Sequence, residues 1–486
     1  MPCTTILVGR NASHDGSTII ARNDDGAFES KRVLAHGPRE EAGSYKSVRS
    51  HLTVPLPGNA LGYTDCPNVT KTNGLWPACG INRANVAMTA TETITSNARV
   101  LGADPYVEYR PKKGRGTKEI PGGIGEEDLV TLVLPYIHTA REGVLRTGEL
   151  LEQYGTDEAN GMAFADGQEI WWLETIGGHH WIARRVPDDR VVIMPNQFGL
   201  DNFDFADAYG EQKEHLCSKD LKAFVERHHL ALDLGDSFNP RLAFGSQRDA
   251  DHIYNTPRAW FMARYFLPRT YRWDGAGADF TPESNDIPWS FRPERKVTVE
   301  DVRYVLGSYY QGTPYDPYDK NSPAKGKYRT IAVPNSDVCG IQQIRGYLPQ
   351  AIQGVQWLSM GGSGFTACFP VYTGVSGFPK YISGTTETVS TDHMYWHSRL
   401  IAALTDAHVG SALLYNERYR STVMNRGQQY LEEYDQKVLE GASPEILLEA
   451  NDKILAMVQE ASDKALAQIL KNASEHMKIR YHRGDN

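Results

Sequence analysis

Short runs of apolar and β-branched residues, not helical periodicity, dominate the first two hundred positions. Residues 4–9 read Thr-Thr-Ile-Leu-Val-Gly and residues 17–22 read Ser-Thr-Ile-Ile-Ala-Arg. Between them, Asn11-Ala12-Ser13-His14-Asp15-Gly16 is turn chemistry, so the pair predicts a hairpin. More short strands are expected over 86–91, 161–165, 169–174, 180–184 and 190–194. Helical spacing occupies 126–139, and 147–154 predicts a second helix. Strands in runs, then helices, then strands again imply antiparallel sheets with segregated helices, an α+β arrangement.

The pattern changes in the second half. Residues 201–379 are rich in Tyr, Trp, Pro and Gly, and 309–318 reads as loop. Strands are expected over 355–360 and 369–372. From about residue 392 the chain reads as helix. Ser443-Pro444-Glu445 is a helix start, with a capping residue followed by proline in the first turn. Ile454, Val458, Ala461, Ala465 and Ile469 then recur at helical spacing, which predicts a long amphipathic helix docked on the body. No internal repeat or low-complexity tract interrupts the chain. Its 486 residues would fit about three domains, yet the patterning favours one elaborated unit over 3–385 and a helical extension over 386–486.

Composition narrows the function classes. Lys and Arg number 51 against 60 Asp and Glu, a net charge of −9, which argues against nucleic acid as a partner. A hydrophobic fraction of 40% and a charged fraction of 23% fit a globular chain. No run approaches the roughly 20 apolar residues of a membrane helix. The first residues lack the basic lead and apolar stretch of a secretion signal, so a cytoplasmic location is expected. The six cysteines are scattered, with no C-x-x-C pair, and read as buried thiols and not as disulfides or a zinc site.

Phosphate loops, dinucleotide fingerprints, zinc helices and serine elbows are absent, so no cofactor or metal is expected. His179 and His180 are adjacent, and strand neighbours point to opposite faces, so they are read as separate imidazoles. His228 and His229 are read as solvated.

Cys3 is the unusual residue. It opens the first strand of the hairpin, which returns to Arg22-Asn23-Asp24-Asp25. With Met1 and Pro2 removed, it carries a thiol and a free α-amine. The amine, with a pKa of about 8, can take the thiol proton and later return it to a leaving amine. A nearby guanidinium favours the thiolate. A carboxylate at the far end of the hairpin can orient the amine.

On these residues the chain resembles the N-terminal-nucleophile hydrolases, and within them the bacterial cysteine dipeptidases of the dipeptidase A type, relatives of the secernins. The resemblance starts with Cys3-Thr4-Thr5-Ile6-Leu7-Val8-Gly9 and Ala21-Arg22-Asn23-Asp24-Asp25. It continues through Cys79-Gly80-Ile81-Asn82, Thr89-Ala90-Thr91-Glu92-Thr93, Pro195-Asn196-Gln197-Phe198 and Thr256-Pro257-Arg258-Ala259. Gly312-Thr313-Pro314-Tyr315-Asp316 and Trp357-Leu358-Ser359 complete it. It spans most of the chain and is weakest in the final helices.

The resemblance implies a four-layer αββα sandwich and amide hydrolysis through an acyl-cysteine. Matching the related bile-salt hydrolases, Arg22 tunes the thiolate and Asp25 holds the α-amine. Asn196 donates to the tetrahedral oxyanion, and Arg258 stabilises the charge network. Another oxyanion asparagine of those enzymes falls near Thr91-Glu92, where this chain has none. A backbone N–H could take that place, and Glu92 is expected to pair with the ammonium of a dipeptide. Small peptides are the expected partners. The C-terminal helices either bury an interface between copies of the chain or only pack on the body. Two other readings stay open: an amidase of the same fold acting on N-acyl or other non-peptide amides, and a catalytically silent, secernin-like interaction protein.

Overall fold

The computed structural model describes residues 3–114, 116–234, 237–362 and 364–479. Met1 and Pro2, whose removal the sequence leads one to expect, lie outside these residues. The hairpin forms as expected. Strand β1, Thr4–Val8, pairs antiparallel with β2, Thr18–Asp25, with Thr5 opposite Arg22. Both strands are buried along their length, which is why their sequence is apolar on both faces and does not alternate.

Among the described residues, β1 and β2 lie inside a seven-stranded sheet. Val191–Met194 and then Ser290–Phe291 flank β1. Ser336–Ile344, Gly354–Met360 and Phe369–Tyr372 follow outward from β2. A second antiparallel sheet runs from His215–Cys217 through His180–Arg185, Ile170–Ile176, Asn160–Ala165, Ala87–Thr89, Cys79–Asn82 and Tyr63–Asp65 to Leu34–His36. The short strand Glu92–Thr93 also pairs with Asn160–Ala165.

The two sheets face each other across an apolar gap. Leu7, Ile20, Val192 and Ile344 of the first meet Ile81, Ala163, Trp172 and Ile182 of the second. Alternate residues of β1 and β2, among them Ile6, Val8, Ile19 and Ala21, pack outward on the helices Thr256–Phe266 and Val299–Leu306. On the far side, Met162, Phe164, Trp171 and Leu173 pack on the helices Glu126–Val133 and Ala140–Tyr154. The architecture is therefore α+β with four layers, helix, sheet, sheet, helix. Three C-terminal helices, Met394–Ala407, Val409–Leu439 and Ile446–Glu475, cover the rest of the first sheet. Ile454, Val458, Ala465 and Ile469 enter a core cluster with Leu358 and Phe369, and Ala461 packs partly buried against it. Among the described residues no helix is long and apolar enough to cross a membrane.

Three local readings differ from expectation. The helix expected over 126–139 ends at Val133 and tightens into the 3₁₀ turn Leu134–Tyr136, because Pro135 has no N–H to continue the ladder. The helix expected from residue 147 begins at Ala140, where the Thr139 hydroxyl accepts from the Glu142 N–H at 3.1 Å. The strand Ser336–Ile344 has no clear sequence signal, yet it is the inner partner of β2 and all nine residues are buried. Its Gln342, Gln343 and Ser336 mask the period. Gly340 lies opposite Arg22 in this pairing, and a Cβ there would sit 2.5 Å from Cys79 Sγ. Only glycine permits that approach.

Candidate active site

Strand alternation sorts the residues at the open end of the hairpin. Cys3, Thr5 and Leu7 share one face, and Arg22 and Asp24 lie on the same face of the partner strand. That face looks into the gap between the sheets. Asn23 and Asp25 look the other way, and Asn23 donates to the Leu306 carbonyl of the outer helix at 2.7 Å.

Arg22 organises the inner face. Its Nη2 donates to Cys3 Sγ at 2.9 Å and to Glu126 Oε1 at 2.8 Å. Its Nη1 pairs with Asp24 Oδ1 at 3.0 Å. Lys31 Nζ holds the other Asp24 oxygen at 2.7 Å. Cys3 Sγ, an Asp24 oxygen and a Glu126 oxygen all lie within 4.8 Å of one another. Two carboxylates, a thiol and two cations therefore share a volume closed to solvent, where unpaired charge would be expensive.

The titration of these groups follows from that packing. Burial pushes the Cys3 thiol up to about 12; Arg22 opposes the shift, and Glu126, Asp24 and Asp25 add to it. Burial and the surrounding carboxylates thus favour the neutral thiol, and Arg22 favours the thiolate. Burial also pushes Glu126 up to about 7, against the pull of Arg22 and with the repulsion of Glu158 and Asp24. Burial would raise Asp24 too, but Lys31 and Arg22 outweigh it and hold the carboxyl below its usual range. Burial works against the Arg22 charge, and Cys3, Asp24, Glu126 and Glu92 more than compensate.

A second guanidinium organises the outer face. Arg258, buried in the first turns of the helix Thr256–Phe266, donates through Nη1 to the Cys3 carbonyl and to Thr4 Oγ1. Its Nη2 donates to Asn196 Oδ1 at 2.7 Å and to Asn255 Oδ1 at 2.8 Å. Burial pushes Arg258 down to about 9, helped by the nearby Arg329 charge. Asn196 follows the strand Val191–Met194, and its Nδ2 donates to the Thr93 carbonyl at 2.8 Å.

Every residue singled out in the sequence lies near the start of β1, but in different roles. Arg22 touches the thiol. Arg258 reaches the Cys3 carbonyl, and Asn196 is joined to that guanidinium. The Asp25 carboxylate accepts from Arg329 Nη2 and from Ser336 Oγ. Glu92 is completely buried, and neither carboxylate oxygen has a hydrogen-bond partner among the described residues. Burial pushes it up to about 7, and Arg258, Arg22 and Arg329 pull it back.

Sequence reasoning missed Asp24, Glu126, Lys31, Asn255 and Arg329. Period-two alternation was a signal for Asp24, which shares a face with Arg22 where Asp25 does not. Glu126 carried none, because it stands 104 positions from Arg22 and reads as an ordinary acid in the first turn of a helix.

The adjacent histidines also differ from expectation. His179 precedes the strand His180–Arg185, so strand alternation does not separate them. The His179 and His180 Nδ1 atoms meet opposite oxygens of Asp104 at 2.9 and 2.8 Å. Burial opposes the Asp104 charge, but these hydrogen bonds outweigh it and bring the carboxyl down to about 2. The cluster joins a strand turn to the C-terminal end of the helix Ala98–Ala103. His228 and His229 are exposed, as expected.

Comparison with known proteins adds an independent line. The family model described as peptidase family C69 matches residues 2–421. A protein described as a dipeptidase from Bifidobacterium longum is 52% identical over 90% of this chain and 83% of its own. A probable dipeptidase A from Streptococcus pyogenes is 46% identical over the full length of both chains. Dipeptidase A from Lactobacillus helveticus is 39% identical over 99% of this chain and 98% of its own. A solved structure of penicillin V acylase from Agrobacterium tumefaciens covers 76% of this chain and 86% of its own, at 13% identity and a TM-score of 0.32. That superposition is too loose to carry an argument.

Proposed function

The chain belongs to peptidase family C69, and on that premise we propose that it hydrolyses dipeptides through an acyl-cysteine on Cys3. The observation that carries the reading is the 2.9 Å contact between Arg22 Nη2 and Cys3 Sγ. A buried thiol gains a stabilised thiolate only where such a cation waits.

In this reading Met1 and Pro2 are removed, and the Cys3 α-amine takes the thiol proton. The sulfur attacks the scissile carbonyl. Asn196 donates to the tetrahedral oxyanion, and loss of such a donor costs about 10²–10³ in rate. The Cys3 ammonium returns the proton to the leaving amine, and water then hydrolyses the thioester. Asp25 orients the α-amine, and Arg258 fixes the Cys3 carbonyl and Asn196 together. Glu92 pairs with the substrate ammonium; its buried carboxylate, with no hydrogen bond of ordinary geometry among the described residues, supports that role. Residues 3–385 form the catalytic domain and 386–486 a packed extension. The six cysteines are free, which fits a reducing, cytoplasmic setting.

The test is a dipeptide panel run beside conjugated bile salts, with and without EDTA, on protein of measured intact mass. Turnover of dipeptides that survives EDTA, on a chain beginning at Cys3, is expected. Turnover of bile salts alone would move the function to an amidase. Activity lost to EDTA would point to a metallopeptidase. An active chain that keeps Met1 or Pro2 would sink the α-amine mechanism.

A further inference from the structure

A nucleophile that uses its own α-amine as base has no base while its nitrogen is still in a peptide bond. This argument rests on the reading of Cys3 as such a nucleophile, and it asks which other group could take the thiol proton.

Two carboxylates lie within reach of Cys3 Sγ, Asp24 and Glu126. They are not equivalent. Asp24 has both oxygens ion-paired, one to Arg22 Nη1 at 3.0 Å and one to Lys31 Nζ at 2.7 Å. Among the described residues, Glu126 is tied through Oε1 alone, and to the same Arg22 Nη2 that holds the sulfur. A proton leaving the thiol for Glu126 therefore moves between two groups held by the same guanidinium nitrogen, and Arg22 shifts its interaction toward the thiolate as Glu126 becomes neutral. Burial and the Glu158 and Asp24 charges already bias Glu126 toward the neutral form, whereas Asp24 is held ionised.

We propose that Glu126 is the proton acceptor for the self-liberation of Cys3. The Glu126 carboxylate takes the thiol proton. The sulfur then bonds to the carbonyl carbon of residue 2, and the C–N bond to Cys3 breaks. The nitrogen takes the proton back from Glu126, leaving a free α-amine on Cys3 and a thioester on its sulfur. Water hydrolyses that thioester, releasing the leading residues with a carboxylate end and restoring the thiol. Once the amine exists, it replaces Glu126 as the base for dipeptides.

The experiment follows intact mass and dipeptide turnover in the full chain. Glu126→Gln should slow loss of Met1-Pro2 at least tenfold, while Glu126→Asp retains part of the rate. Deleting Pro2 from the Glu126→Gln chain lets removal of Met1 expose Cys3 directly. That chain should regain at least tenfold in turnover over Glu126→Gln with Pro2 present. Wild-type processing in Glu126→Gln would overturn the proposal. So would failure of the Pro2 deletion to restore turnover in protein with a wild-type thermal melt, because Glu126 would then be needed for the dipeptide reaction itself. A mature wild-type enzyme retaining Met1-Pro2 would instead refute the underlying reading of Cys3.

Discussion

Arg22 and Arg258 stand on opposite faces of one strand start, are both fully buried, and are solvated in opposite ways. Arg22 meets carboxylates and the thiol. Arg258 meets neutral oxygens: two backbone carbonyls, a hydroxyl and two side-chain amides. The first arrangement raises the pKa of its guanidinium and the second lowers it. One cation is thus placed beside a sulfur and two carboxylates, groups that can change charge. The other is placed to fix atoms whose charge does not change. Identical side chains divide the labour by their acceptors.

Removing the sulfur both networks serve should have the largest effect. Cys3→Ala is expected to abolish dipeptide turnover with an unchanged thermal melt, and retained turnover would break the comparison at its root. Next comes Arg22→Gln. It strands Glu126 and leaves Asp24 with Lys31 as its one remaining cation among the described residues, and breaking a buried pair costs about 3–5 kcal/mol. Denaturant unfolding should show that loss, and iodoacetamide should alkylate Cys3 far more slowly. Arg258→Lys should act differently. A single ammonium cannot reach acceptors spread over Cys3, Thr4, Asn196 and Asn255, and each stranded acceptor costs about 1–3 kcal/mol. Turnover should fall by about 100-fold, the scale of a misplacement of about 1 Å at a reacting group, while alkylation stays near wild type. Equal alkylation defects in the two arginine variants would erase the distinction.

The smallest effect is expected where both guanidiniums remain. Glu92 has an ordinary pKa of 4.5 and is pushed up to about 7 in the folded chain. Between those values the native state holds a proton that the unfolded chain releases. Its contribution to stability is therefore greatest below pH 4.5, declines as pH rises to about 7, and is flat above. Glu92→Gln should remove that decline from a series of unfolding curves, and should raise KM for dipeptides more than it lowers kcat. An unchanged pH slope would mean that Glu92 stays ionised beside the arginines.

The hairpin, the strands Ala87–Thr89, Asn160–Ala165, Ile170–Ile176 and His180–Arg185 of the second sheet and the C-terminal helices were legible because burial left its period in the residues. Cys3 and Arg22 were legible because they are close in sequence and sit on paired strands. What stayed hidden was placed by long-range closure. Ser336–Ile344 carries glutamines in a fully buried strand, so its pattern resembles a loop. Glu126 reaches the thiol only because the helix Glu126–Val133 caps the end of the second sheet, and no local spacing encodes that. The pairing of His179 and His180 failed by one residue, since the strand starts at His180 and not before it.

The same late strand has a consequence for synthesis. Asp25 and its partner Ser336 are 311 positions apart. At about 5–20 residues per second, a ribosome adds that stretch in about 15–60 s. Throughout that interval β2 lacks its second neighbour, and the Arg22 face has no rigid wall behind it. The strand that completes the sheet beside Arg22 is made only after about seven tenths of the polypeptide, so a product truncated before it lacks the Ser336 partner of Asp25.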